Sequence, residues 1–90
     1  MKITCEFERF QGIPGEPDFY TITLSGETYQ ARETIKGLGD YEFNDPVGCQ
    51  KAWRSKRIFF DKVAEKQDII RLLQKTKTAL IETGAQFVMI

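Results

Sequence analysis

Residues 1–10 alternate without interruption. Met1, Ile3, Cys5 and Phe7 fall on one side, and Lys2, Thr4, Glu6 and Glu8 on the other. A period of two with one apolar side predicts a half-buried strand. It stops at Gln11-Gly12-Ile13-Pro14-Gly15-Glu16-Pro17-Asp18, where turn formers crowd together and proline cannot donate to a ladder. Alternation resumes from Phe19 to Ser25, with Tyr20, Ile22 and Leu24 opposed to Thr21, Thr23 and Ser25. Ser25-Gly26-Glu27 then fits a tight hairpin, and Thr28 to Ile35 reads as its returning strand, with Tyr29, Ala31 and Ile35 on the apolar side. Residues 36–40 read as another turn, Tyr41 to Phe43 as a short strand, and residues 46–53 as irregular or a single turn.

Residues 57–63 fit two periods. As a strand, Ile58 and Phe60 share a face; as a helix, Phe59, Phe60 and Val63 do. Ile and Phe favour strands and no cap precedes the run, so strand is preferred. Residues 64–83 give the clearest pattern. Ile69, Leu72, Leu73, Thr76, Ala79, Leu80 and Thr83 recur at helical spacing, with Arg71, Lys75, Thr78 and Glu82 opposite. Ile70 and Ile81 widen the apolar face, which implies deep packing or contact with a partner. Gly84 fits the position just past the helix. Gln86 to Ile90 reads as a terminal strand covered on both faces, ending on a buried Ile90 with no tail. Strands first and a long helix late predict an α+β fold. The expectation is a mostly antiparallel sheet of four to five strands, with one long C-terminal amphipathic helix packed on one face.

Ninety residues fit one domain, spanning 1–90, and bury roughly 60–70% of the unfolded surface without staples. Cys5 and Cys49 allow one disulfide, but two reduced, buried thiols are the preferred reading. No apolar run approaches the ~18 residues of a membrane span. The first residues lack the apolar core of a signal peptide, so the expected compartment is the cytoplasm.

The chain contains no histidine, which removes the commonest general base and metal ligand together. This argues against an enzyme and against a cofactor or metal. The formal net charge of zero hides an asymmetry. Residues 1–45 carry nine acids and four bases, a net of −5; residues 46–90 carry nine bases and four acids, a net of +5. The two halves either pair across the fold or mark a binding face.

The candidate chemistry lies in Lys51-Ala52-Trp53-Arg54-Ser55-Lys56-Arg57. Its four cations can hold phosphate oxygens or another anionic partner, and an exposed base can stack on the indole; the alternative is a solvated loop with Trp53 turned into the core. Lys51, Trp53, Arg54, Lys56 and Arg57 are therefore the expected contact residues. Asp40, Glu42 and Asp45 lack the alternating ligands of a calcium loop and read as an acidic turn. Gly37-Leu38-Gly39-Asp40 lacks the lysine and helix start of a phosphate loop. Cys49 has cations nearby but no base. Over residues 56–63, Lys56, Asp61, Lys62 and Val63 resemble the arginine-bearing strand of WYL domains, without that family's defining tripeptide. The resemblance implies only a strand there. The sequence thus suggests a small non-enzymatic binding protein that uses a basic, Trp-containing surface on a protein or nucleic-acid partner. The alternative is an assembly subunit, for example a homodimer, with no ligand site of its own.

Overall fold

Strand β1, Lys2–Phe10, follows the alternation of its residues in its first half, where Ile3 and Cys5 are fully buried and Lys2 faces water; farther along the same side, Phe7 and Arg9 are exposed. The computed structural model describes residues 1–44, 51–59 and 63–90, with side chains in the last stretch from 66 onward. β1 pairs antiparallel with β2, Phe19–Gly26, so that Cys5 faces Leu24 and Phe7 faces Ile22. Their connection is residues 11–18, tied down by Asp18, which accepts from the Gly12 N–H at 2.9 Å and from Arg9 at 2.6 Å.

The expected tight hairpin at Ser25-Gly26-Glu27 and its returning strand do not form. Gly26 takes a φ of +91° and Glu27 N–H donates to Lys2 O at 2.9 Å, which turns the chain out of the sheet. Residues 29–31 make one 3-10 turn, followed by helix α1, Arg32–Leu38. The positions that seemed to alternate serve a helix instead. Ala31 and Ile35 are four apart and enter the core, while Tyr29 is 75% exposed with the Arg32 guanidinium over its ring.

The short strand over 41–43 is present as β3, Tyr41–Asn44, and it pairs antiparallel with β4, Ala52–Ser55. β4 occupies the end of the segment read as irregular; residues 46–50 lie outside the described residues. β4 also lies beside β2, giving the order β3-β4-β2-β1-β5. The strand expected over 57–63 reduces to one bridge, Ile58 with Tyr20. Phe60, Asp61 and Lys62 lie outside the described residues, and Val63 begins a helix.

That helix, α2, runs from Val63 to Glu82 and packs Ile69, Thr76 and Leu80 against the sheet. Its buried threonine is fully used. Thr76 Oγ1 donates to Leu72 O at 2.7 Å, so it accepts from the Tyr41 hydroxyl, also at 2.7 Å. Ile70 and Ile81 are about half exposed, so the wider apolar stripe is not packed deeply. Gly84 takes a positive φ just past the helix. The chain then returns as β5, Gln86–Met89, parallel to β1 with Ile3 beside Phe87. α2 carries the chain from β4 across β2 and β1 to the far edge, and the parallel pairing of β5 with β1 makes the sheet mixed. β5 is an edge strand, and Met89 and Ile90 are 50% and 78% exposed. The buried Ile90 is therefore not found and the cover is incomplete: α2 packs on one side of β5, and among the described residues no strand pairs with its outer edge. The whole is an α+β fold, a five-stranded, mostly antiparallel sheet with a long helix on one face. No helix among the described residues is long and apolar enough to cross a membrane.

Candidate functional site

Pleating separates the residues that the basic run places side by side. On β4, Trp53 pairs with Leu24 and Phe43, and so lies on the helix-covered face. Its ring meets Phe43 edge-on, with centroids 5.5 Å apart. Arg54 pairs with Thr23 and Glu42 and points to the opposite, open face. Trp53 and the cation beside it therefore do not share a surface.

A register change follows. Thr23 faces Arg54, but Tyr20 faces Ile58. Thr21 and Ile22 on one strand thus oppose Ser55, Lys56 and Arg57 on the other, one residue more. This is a β-bulge, a device that re-aims side chains. Without it, Ile58 would share a face with Arg54; with it, Ile58 joins the core. Lys56 and Arg57 are both pushed outward and exposed. Ser55 makes the bulge tolerable. Its Oγ accepts the Ile22 N–H at 2.9 Å, a group that has lost its carbonyl partner across the ladder, and donates to Lys56 O at 3.0 Å.

The five candidate residues differ in availability. Arg54 is 4% exposed: Nε donates to Glu8 Oε1 at 2.8 Å and Nη1 to Asn44 Oδ1 at 2.6 Å. Its charge is already answered. Lys51 is exposed just before β4. Arg57 lies over the Phe19 ring, 4.6 Å from its centroid, and Phe19 stacks on Phe10 at 5.2 Å. Among the described residues, neither Lys56 nor Arg57 has an acidic partner within ion-pair distance.

Three concavities meet at the bulge, and Ser55 and Lys56 line all of them. The smallest of them, about 200 Å³, lies between the bulge and α2. A second opens toward Asp40 and Tyr41. The third lies on the open face beside Phe10 and Phe19.

Among the described residues, the −5 and +5 halves meet at ion pairs that include Glu8 with Arg54 and Asp40 with Lys75 at 2.9 Å. Asp45 and Cys49 lie outside the described residues. Among those described, no three His, Cys, Asp or Glu side chains are grouped to hold a metal ion. Cys5 is buried, and burial, reinforced by Glu6, pushes its thiol up to about 11. Sequence reading missed Glu8, Asn44, Phe10, Phe19, Ile69 and Leu72. Each comes from another element, and only Phe10 and Phe19, flanking one connection between alternating strands, left a local signal. No family model, curated protein or solved structure matches the chain.

Proposed function

We propose that the protein is a small non-enzymatic binding module whose contact region is the bulge Ser55-Lys56-Arg57. The observation that supports this reading is the pair of outward cations at a junction of concavities, neither answered by an acid among the described residues. Exposed cations close to an apolar recess serve recognition of an anionic group. The Ser55 hydroxyl is occupied by Ile22 and Lys56 backbone groups and is poorly placed for nucleophilic work. Trp53 leaves the proposed surface, and Arg54 becomes its anchor rather than a contact.

The test is an amide chemical-shift titration of the full chain with polyglutamate and, separately, with an oligothymidylate, at low and moderate salt. Salt-sensitive shifts centred on residues 55–58, lost in Lys56→Glu/Arg57→Glu, support the reading. Shifts centred elsewhere, or none with either probe, overturn it.

One observation favours the assembly reading as a second. Among the described residues β5 is an edge strand without charge or proline; its Met89 and the following Ile90 are exposed, and α2, which packs beside it, leaves Ile70 and Ile81 half exposed. Sedimentation showing a monomer at high micromolar concentration would reject it.

A further inference from the structure

We infer that the cavity between the bulge and α2 receives one large apolar side chain of a partner protein, whose neighbouring carboxylate is held by Lys56 and Arg57. The inference rests on the binding reading above and names its partner. The cavity has an apolar floor of Ile58, Phe59, Ile69 and Leu72, and a polar rim of Ser55, Lys56, Arg57 and Asp68. Asp68 sits 3.6 Å from Arg71, so its charge is offset on α2 itself. The Ser55 hydroxyl is engaged at the bulge. What the rim offers an incoming group is therefore two cations.

Size and charge choose between ligand classes. A volume of about 200 Å³ lies below the roughly 300–1,000 Å³ of small-molecule sites. It suits one anchoring side chain of a larger partner. An apolar floor rewards an aliphatic or aromatic group and offers few hydrogen bonds to a base edge. A nucleic-acid strand needs cations along its phosphates and stacking platforms beside them. Here the open sheet face next to the bulge also carries Glu6 and Glu42, which repel a phosphate track, and Trp53 lies on the other side of the sheet. Two cations suit one or two carboxylates. Arg57 is already held over Phe19, so its planar guanidinium loses little freedom when it takes a carboxylate.

The experiment extends the shift titration to a capped hexapeptide of alternating leucine and glutamate, with two controls: leucines replaced by serine, and glutamates replaced by lysine. The expected result is shifts at Ser55, Lys56, Arg57, Ile58, Ile69 and Leu72. The serine peptide should bind about tenfold more weakly or worse, and the lysine peptide should not bind. Lys56→Glu/Arg57→Glu, which alters only exposed side chains and keeps the core intact, should abolish the response. If the serine peptide binds as well as the leucine peptide, the cavity is not the anchor and the inference falls. If oligothymidylate moves residues 55–58 and the leucine peptide does not, the bulge remains the contact region but the peptide assignment is overturned. If no probe moves them, both readings fall.

Discussion

Replacing Glu8 with alanine measures what a buried cation loses with the Glu8 carboxylate. Arg54 keeps its place in β4 and its hydrogen bond to Asn44, but loses the carboxylate 2.8 Å from Nε. Two unit charges about 4 Å apart at an effective dielectric of about 20 interact by about 4 kcal/mol. Glu8 is 26% exposed, so water enters on its removal and restores part of this. The expected loss is about 2–3 kcal/mol, near the lower edge of what breaking a buried pair costs. Urea unfolding should show the midpoint falling by roughly 1–2 M with the slope unchanged. Arg9→Ala removes a shorter ion pair, to Asp18 at 2.6 Å, but that pair stands in solvent and its loss should not shift the midpoint measurably. Glu8→Leu combined with Arg54→Met should recover most of the loss, because neither charge is then stranded. The reasoning is refuted if Glu8→Ala behaves like Arg9→Ala, or if high salt erases its effect, since a truly desolvated pair is screened little.

Other outcomes follow from the same packing. The Cys5 thiol keeps its proton in the folded chain to about pH 11, while the unfolded chain gives it up near its ordinary 9.0. Stability is therefore full below about pH 9 and falls by roughly 2–3 kcal/mol toward pH 11. Tyr41, whose phenol burial also raises, adds a decline of the same sign, so the check is a shallower slope in Cys5→Ala than in the parent. Gly26→Ala places a Cβ 2.8 Å from Lys2 O at a positive φ. It should cost about 1–3 kcal/mol, read as a clear drop in Tm. Gly37→Ala, inside α1 with open space around it, should raise Tm instead, because glycine is the poorer helix former.

The strands β1 and β2 and the helix α2 were legible because each repeats one period long enough to exclude the other. Residues 28–35 were not. Ala31 and Ile35 satisfy both a strand, as same-side positions, and a helix, as an i,i+4 pair, and only the turn at Gly26 decides between them. β4 was hidden for another reason: four residues leave little pattern, and its buried members include Arg54 and Ser55, which composition assigns to the surface. The proposed contact region shows in the sequence only as a concentration of cations, not resolved into faces. That Trp53 and Arg54 part company follows from pleating once β4 is known. That Lys56 and Arg57 both face outward depends on an unequal count against β2, visible only when both strands are placed. Glu8, lying 46 residues from Arg54, carries no sign in the sequence of the cation it meets.

The position of β1 between β2 and β5 bears on the order in which the chain folds. One flank of β1 is met by a strand that follows after a short connection, with Phe10 opposite Phe19. Its other flank waits for Gln86, which pairs near Lys2 across almost the whole chain. Closing so long a loop loses more entropy than closing the first hairpin, and distant contacts form slowly. For that interval the outer edge of β1 presents free backbone groups beside Ile3 and Cys5. The time during which the chain is most exposed to wrong pairing with its neighbours is thus set by how fast α2 delivers β5.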